Sequence, residues 1–177
     1  FIACLELNIK PALIDISFID KINDGIVVDE NCFGVCSSGT IDKKLISLNL
    51  DKIFEKYEEL NLLEKNKIVY NIMPMKGISG IVLNIVDSIV YNNRIIINSS
   101  ENYFENLEKY NANYSLLPLD FLDKIVLHRK YNLNLVKRLF ISGSYISNYS
   151  IEKLINYTNG LDLSKIEYIY GQTETYG

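Results

Sequence analysis

The stretch KIVYNIMPMKGISGIVLNIVDSIVYNNRIII, from Lys67 to Ile97, contains the alternation of predicted strand and helix that decides the fold. Its beginning, Lys67–Ile72, is an apolar run that predicts a buried strand, and Arg94–Ile97 predicts a second strand after a turn at Asn92-Asn93. A helix is predicted between them from about Gly77. Its apolar stripe consists of Ile78, Ile81, Val82, Ile85 and Ile89. Strand, helix and strand in this order predict a βαβ unit with parallel strands.

The alternation continues downstream of this unit. A helix capped by Ser100 is predicted to turn Tyr103, Phe104 and Leu107 inward, and a strand at Tyr114–Leu117 follows it. Pro118 is predicted to start the next helix, because the first helical position does not use an amide hydrogen. The remaining predicted elements are the strands Val136–Ile141 and Lys165–Ile169 and a helix between them, which is capped by Ser147 or Ser150 and ended by Gly160.

Upstream of Lys67 the predicted strands are Ala12–Ile16, Val35–Ser38 and Lys44–Leu48. An amphipathic helix follows, capped by Asn49 or Asp51. Its predicted apolar face consists of Leu50, Ile53, Phe54, Tyr57 and Leu60. Because single helices separate most of the strands, the sequence predicts an α/β fold: a mostly parallel sheet with helices on both faces, joined by right-handed crossovers.

The composition is that of an ordinary globular domain, with 48% of the 177 residues hydrophobic and 23% charged. We expect residues 1–177 to form part of one domain. The formal net charge of -4, with Lys and Arg scattered among acidic residues, supplies no basic face and argues against a nucleic-acid partner. Because the chain begins at Phe1 and stops directly after its most chemical-looking motif, we expect it to be a fragment of a longer polypeptide.

The cysteines Cys4, Cys32 and Cys36 are odd in number, lack metal-type CxxC spacing and lie in apolar segments. This pattern predicts buried, reduced thiols in a cytoplasmic protein. The longest apolar helix candidate, Gly77–Val90, contains Asn84 and Asp87 and is shorter than the roughly 20 residues of a membrane span. We therefore predict no membrane span.

The ending YGQTETYG, Tyr170–Gly177, combines side chains that suit a nucleotide. Tyr170 offers a stacking face, Thr173 offers a hydroxyl that can bond a phosphate, and Glu174 offers a carboxylate that can hold Mg²⁺. The pattern Tyr-Gly-x-Thr-Glu should arise by chance on the order of once in a thousand sequences of this length. A polar loop before a helix is the alternative interpretation.

Two further loops also follow predicted strands. Ser37, Ser38, Gly39 and Thr40, with Lys43 beyond them, supply hydroxyls, a permissive glycine and a cation that can surround phosphates. A hairpin with solvated lysines is the alternative for this loop. The segment Ile141–Ser147 includes Gly143, Ser144 and Tyr145, and its alternative is a turn with Ser147 as helix cap. Because ligands of parallel sheets bind at the carboxyl ends of strands, we expect the three loops to meet at one edge.

Together these segments resemble the adenylate-forming superfamily, which comprises acyl-CoA synthetases, luciferase-type enzymes and the adenylation domains of nonribosomal peptide synthetases. Ser37–Thr40 resemble its phosphate loop, SSGTTGxPKG, and Gly143–Tyr145 resemble the SGAPLS-type loop that lines the adenine pocket. Tyr170, Gly171, Thr173 and Glu174 match the YGxTE motif. The resemblance implies that Tyr170 stacks on adenine, Thr173 bonds the α-phosphate and Glu174 coordinates Mg²⁺. It covers nearly all of this chain and the central part of such an enzyme's N-terminal domain.

The activity implied by the resemblance is activation of a carboxylic acid by Mg-ATP to an acyl-adenylate, with release of pyrophosphate. A thiol of CoA or of a phosphopantetheine-bearing acyl or peptidyl carrier protein then takes the acyl group. The C-terminal lid domain of the family, which bears the catalytic lysine, has no counterpart in these residues, so we expect the fragment alone to be inactive.

Several positions depart from the family pattern. Ile41-Asp42 replace the second threonine and glycine of the phosphate loop, and Tyr168 stands where an asparagine usually precedes the YGxTE tyrosine. In the segment that resembles LPxFHxxG, Pro74 and Gly80 are kept but Lys76-Gly77 replace the aromatic-histidine pair. These departures support an alternative hypothesis, a non-catalytic adenylation-like module that binds a nucleotide or an acyl group. His128, the single histidine, lies in a polar run and is predicted to be a surface residue.

Overall fold

Apolar runs and amphipathic segments form strands and helices largely in the order that the sequence predicts. The structure, a computed structural model, describes residues 12–13, 32–36, 45–74, 77–81, 86–125, 127–143 and 146–170. The chain divides into two compact units. The first comprises Phe1–Leu62, Pro74–Val90 and Gly171–Gly177, and the second comprises Leu63–Met73 and Tyr91–Tyr170.

A three-stranded sheet belongs to the first unit. Its strands are β1 (Ala12–Leu13), β2 (Cys32–Cys36) and β3 (Leu45–Asn49), with β1 parallel and β3 antiparallel to β2. Helix α1 (Leu50–Leu60) follows β3 directly, because the side chain of Asn49 accepts a hydrogen bond from the Lys52 amide at 3.0 Å. The predicted cap at Asn49 is therefore confirmed. The described part of β1 is shorter than the predicted strand.

The helices of the first unit pack a small core against its sheet. The short helices α2 (Ile78–Ile81) and α3 (Asp87–Val90) lie within the helix predicted from Gly77, and its residues 82–85 lie outside the described ones. Two parts of the predicted apolar faces are wrong. Phe54 and Leu60 are exposed because α1 turns Ile53 and Tyr57 inward, and Ile89 is exposed because α3 buries Ser88. The buried core residues are Phe33, Val35, Leu48, Ile53, Tyr57, Ile78, Ile81 and Val86.

A five-stranded parallel sheet forms the centre of the second unit. Its strands are β4 (Ile68–Asn71), β5 (Arg94–Ile97), β6 (Tyr114–Pro118), β8 (Arg138–Ser142) and β10 (Ile166–Ile169), in the order β10-β8-β6-β4-β5. Consecutive residues of β6 and β8 are buried, so both faces of the sheet are covered at its middle. This arrangement confirms the predicted α/β class with a parallel sheet.

Helices α4 (Tyr103–Lys109), α5 (Leu119–Lys124) and α6 (Asn148–Tyr157) alternate with the strands of the second unit. Tyr103, Phe104 and Leu107 are buried, as predicted. The predicted cap at Ser100 is wrong, because Asn102 occupies the N-cap position with a left-handed backbone (φ 52°) and no side-chain cap bond. Ser147 caps α6 by accepting a hydrogen bond from the Ser150 amide at 3.1 Å, which confirms one of the two predicted caps.

Gly160 does not end α6 as predicted. The helix stops at Tyr157, and the next residues form β9 (Thr158–Asn159), which pairs in parallel with β7 (Tyr131–Asn132). Gly160 follows with φ 83°, and a Cβ atom there would lie 2.6 Å from the Asn134 Cα atom. The glycine is therefore required by backbone conformation and by close approach of another chain segment.

Two further sequence predictions concern single residues. Cys32 is a buried free thiol, as predicted, and His128 is exposed, as predicted. None of the helices in the part of the chain that the structure describes is long and apolar enough to cross a membrane.

Candidate functional site

Two of the three predicted loops leave the sheet of the second unit at neighbouring strand ends. Strands β8 and β10 pair in parallel with Ile169 opposite Ser142. Gly143 is the first residue after β8, and Tyr170 is the first residue after β10. The structure therefore brings Gly143 and Tyr170 to the same edge, which is the carboxyl edge where parallel sheets bind ligands.

A side-chain hydrogen bond joins these two strand ends. The Tyr168 hydroxyl donates to the Gly143 carbonyl oxygen at 2.7 Å. Tyr168 pairs with Ile141 in the sheet, so its side chain reaches forward along β8 to the residue that leaves the strand. Its side chain is 47% exposed, and the hydroxyl therefore bonds to the backbone at the surface of the unit.

Gly143 has a backbone that favours glycine. Its φ is 119°, which places it in the region that other residues adopt only with strain. Space does not restrict the residue, because the nearest atoms to an added Cβ would be the Leu119 Cβ and backbone N, both at 3.7 Å. The chain therefore bends at Gly143, directly after β8 ends.

Tyr170 presents a largely exposed side chain at the same edge. Its side chain is 74% exposed, although a large aromatic group normally gains stability from burial. An exposed ring at the carboxyl end of a parallel strand is suited to stacking on a planar ligand such as a nucleobase. The stacking role that the motif implies for Tyr170 stays a prediction.

The ends of β6 and β4 extend this edge. Pro118, the last residue of β6, lies opposite Ser142, so the ends of three neighbouring strands are aligned. Asn71 ends β4, and its buried side chain accepts a hydrogen bond from the Met73 amide at 2.7 Å. The segment that resembles LPxFHxxG therefore begins at the carboxyl edge as well.

Hydrogen bonds and an ion pair link neighbouring segments at the amino edge of the same sheet. The Asn113 side chain accepts from the Ile68 amide at 2.9 Å and donates to the Leu135 carbonyl oxygen at 2.9 Å. Lys137 Nζ lies 2.6 Å from both carboxylate oxygens of Glu64, and this hydrogen bonding lowers the pKa of Glu64. These groups hold β4, β6 and β8 in register at the edge opposite the candidate site.

The other predicted site residues lie outside the described residues. They are Ser37, Ser38, Gly39, Thr40, Lys43, Ser144, Tyr145, Gly171, Thr173 and Glu174. The approach of the phosphate loop to Gly143, and the roles of Thr173 and Glu174, therefore stay predictions. Within the described ranges, no group of three or more His, Cys, Asp or Glu side chains could hold a metal ion.

The second unit also contains a cavity of about 230 Å³ that none of the predicted site residues line. Buried Tyr103 and Phe104 form part of its wall, and Lys124 and His128 supply polar groups. The cavity is separate from the Gly143 and Tyr170 pair.

Solved structures match this chain in fold. An adenylation domain of a keto acid-selecting NRPS module, bound to keto acyl adenylate, has a TM-score of 0.69 at 13% identity and covers 81% of this chain. The McyG A-PCP structure, complexed with phenylalanyl-adenylate, has a TM-score of 0.72 at 18% identity and covers 92%. A fatty acyl-adenylate ligase from L. pneumophila, in complex with acyl adenylate and pyrophosphate, has a TM-score of 0.67 at 15% identity and covers 80%.

These similarities confirm the predicted resemblance to adenylate-forming proteins at the level of fold. The chain spans 28% to 30% of the length of these three structures. No protein-family model matches the sequence, and no curated protein matches it.

The role of Tyr168 was missed by the sequence interpretation. The sequence identifies this residue only as a departure from the family's asparagine. Its hydrogen bond to Gly143 depends on the register of β8 and β10, and a single sequence does not show which strands are neighbours. The spacing of Tyr168 and Tyr170, which places both on one face of an extended strand, was the available signal.

Proposed function

We propose that the full-length protein activates a carboxylic acid with ATP, and that residues 1–177 form part of its AMP-binding domain. A carboxylate oxygen of the acid attacks the α-phosphorus of ATP. The bond between the α-phosphorus and the oxygen that bridges to the β-phosphate breaks, and pyrophosphate leaves with the electron pair. The product is a mixed anhydride, the acyl-adenylate.

The observation that carries this proposal is the joined carboxyl edge of β8 and β10. Gly143 and Tyr170 follow adjacent strand ends and are linked through the Tyr168 hydroxyl. Both belong to segments that match nucleotide-binding motifs of adenylate-forming proteins. The adenylate-bound structures that share this fold support the same assignment.

The residues of the YGxTE segment fit a magnesium nucleotide by their chemistry. The exposed ring of Tyr170 offers a stacking face, and the sequence that follows supplies the hydroxyl of Thr173 and the carboxylate of Glu174. Carboxylate oxygen is the ligand type that Mg²⁺ prefers. When bound, the ion supplies positive charge that offsets the phosphate oxygens.

The chain's own groups contribute positioning and charge neutralisation in this proposal. Tyr170 orients the base, and Gly143 with Ser144 and Tyr145 lines the pocket beside it. Thr173 donates to the α-phosphate, and Ser37, Ser38, Gly39, Thr40 and Lys43 hold the outer phosphates. Fixed donors of this kind lower the barrier because they need no reorganisation as charge moves toward pyrophosphate.

Transfer of the acyl group to a thiol completes the proposed reaction in the full-length protein. The thiol belongs to CoA or to the phosphopantetheine arm of a carrier protein. The lid domain with its catalytic lysine would lie in sequence outside residues 1–177. We also propose a cytoplasmic location, because the three cysteines are odd in number and lack metal-type CxxC spacing.

A non-catalytic module that binds a nucleotide or an acyl group is the second candidate. The sequence departure that favours it is Tyr168, which stands where the family pattern has an asparagine. Asp42 in the phosphate loop also favours it, because a carboxylate beside phosphates is repulsive unless a cation offsets it. The two candidates differ in whether the α–β phosphate bond breaks.

The test is exchange of labelled pyrophosphate into ATP by the full-length protein. Amino, keto and fatty acids are supplied in turn, because the structures that share the fold carry adenylates of these different acids. Exchange that requires one acid supports the proposed reaction. Binding of Mg-ATP without exchange for any acid, on folded protein, identifies the binding module instead.

A further inference from the structure

The Tyr168 hydroxyl makes a hydrogen bond within the protein that burial of the side chain does not require. The side chain is 47% exposed, so water could satisfy the hydroxyl if the chain did not. It donates instead to the Gly143 carbonyl oxygen at 2.7 Å, across a separation of 25 residues. A short hydrogen bond of this kind, between two segments far apart in sequence, fixes the position of one segment relative to the other.

The acceptor is the residue at which the chain bends after β8. Gly143 has φ 119° and follows Ser142 directly, so its carbonyl orientation sets the direction of the segment that follows. An added Cβ at Gly143 would meet the Leu119 Cβ and backbone N at 3.7 Å, an ordinary van der Waals distance. The hydrogen bond from Tyr168 adds a directional constraint on the Gly143 carbonyl group.

The donor, Tyr168, is also close in the chain to Tyr170, the other described residue of the candidate site. Tyr168 lies two residues before Tyr170 and is held in β10 by pairing with Ile141. A displacement of the Gly143 carbonyl therefore changes the distance between the loop after β8 and the ring of Tyr170.

We propose that Tyr168 is a positioning residue that sets the width of the nucleotide site by fixing the Gly143 carbonyl relative to Tyr170. This inference rests on the proposed function, because it assigns to Tyr168 a part in holding the nucleotide. Tyr168 acts through Gly143 and does not itself take part in the chemistry. The binding of ATP depends on this spacing, whereas the binding of the acid does not.

The test uses Tyr168→Phe in the full-length protein, which keeps the ring and removes only the hydroxyl. Tyr157→Phe is the matched control, because Tyr157 is a tyrosine of similar exposure, at 41%, on α6. We expect Tyr168→Phe to raise the KM for ATP in pyrophosphate exchange by roughly two- to tenfold, with the KM for the acid and the melting temperature unchanged. The control is expected to match the wild type in all three.

Hydrogen exchange of the peptide that contains Gly143 provides a readout that does not depend on activity. We expect faster amide exchange there in Tyr168→Phe than in the wild type and in Tyr157→Phe. An unchanged KM for ATP, or an equal rise in the KM values for ATP and acid, would overturn the proposal.

The failure of the proposed reaction is distinguishable from the failure of this inference. If the wild type binds Mg-ATP but shows no pyrophosphate exchange, the reaction is wrong. The dissociation constants of wild type and Tyr168→Phe for Mg-ATP, measured by equilibrium dialysis, then decide the role of Tyr168. A wild type that binds no Mg-ATP contradicts both the reaction and the positioning role.

Discussion

Ile169 lies opposite Ser142 in the parallel pairing of β10 with β8. This register makes Tyr170 and Gly143 the first residues beyond two adjacent strand ends. A ligand at this edge of the sheet therefore meets an exposed aromatic ring from one strand end and a glycine bend from the other.

Gly160→Ala is expected to destabilise the chain by about 1–3 kcal/mol or more. An added Cβ would lie 2.6 Å from the Asn134 Cα atom, and φ is 83°, so both the space and the backbone oppose a side chain. Urea unfolding followed by circular dichroism measures the change. Gly77→Ala is the control, since its nearest neighbour would be the Pro74 carbonyl oxygen at 3.7 Å. Equal stability of the two variants would refute the explanation.

Tyr103→Phe is expected to cost about 1–2 kcal/mol at neutral pH. The buried Tyr103 hydroxyl donates to the Ser115 hydroxyl at 2.7 Å, and Ser115 donates to the Tyr70 carbonyl oxygen at 2.7 Å. The substitution removes the Tyr103 hydroxyl and leaves the buried Ser115 hydroxyl oxygen with one hydrogen bond fewer. Unfolding of both proteins in urea provides the comparison, with Tyr157→Phe as the exposed control.

The stability of the wild type and that of Tyr103→Phe should depend differently on pH in the alkaline range. Burial raises the pKa of Tyr103 far above its ordinary value of 10.0. The folded state then keeps a proton that the unfolded state loses, so this contribution is complete below about pH 10 and declines as the pH rises further. The stability difference between wild type and Tyr103→Phe should therefore shrink above about pH 10. A difference that grows there would contradict the assignment.

Glu108→Gln is expected to destabilise the chain at neutral pH and to have no effect in acid. Glu108 accepts from Arg129 at 2.6 Å and from the Asn132 amide at 3.0 Å, and the hydrogen bond from Arg129 lowers the pKa of Glu108. A lowered pKa contributes stability above the ordinary value of 4.5, and that stability is lost as the pH falls through the folded value. Unfolding curves across this range, with exposed Glu101→Gln as control, measure the effect. A pH-independent difference would argue against the ion pair.

The succession of strands and helices along the chain, and the fold class, were predictable because βαβ units carry a strong local signal. The apolar run of β4, the break at Asn92-Asn93 and the run of β5 indicate parallel pairing without any long-range information. The caps at Asn49 and Ser147 were predictable for the same reason, since a capping side chain bonds within its own first turn.

Features that depend on distant segments were not predictable. Strands β7 and β9 have two residues each, too short for a period-2 pattern. They pair between segments that are distant in sequence, and the Leu133 amide donates to the Asn159 carbonyl oxygen at 2.7 Å beside that pairing. The requirement for glycine at Gly160 comes from Asn134, which lies far away in sequence. The exposure of Phe54 and Ile89 follows from which helix face meets the core, and amphipathic spacing fixes that face only to within about one residue.

The same distinction between local features and features that depend on distant segments applies to the candidate site. Its motif residues Gly143 and Tyr170 were predicted from local pattern, and the structure brings them to one edge. The bond from Tyr168 to Gly143 depends on strand register and was not predicted. Lys43, Thr173 and Glu174 lie outside the described residues, and their roles stay predictions.

The measurement that tests the central claim most directly is acid-dependent pyrophosphate exchange by Glu174→Gln in the full-length protein. If Glu174 holds Mg²⁺ at the phosphates, the substitution keeps the shape and removes the charge. We predict a loss of roughly 3–4 kcal/mol in the transition state, or about two to three orders of magnitude in rate, at an unchanged melting temperature. Exposed Glu59→Gln is the control and should exchange at the wild-type rate. Near-normal exchange by Glu174→Gln would contradict the metal role and the site built on it.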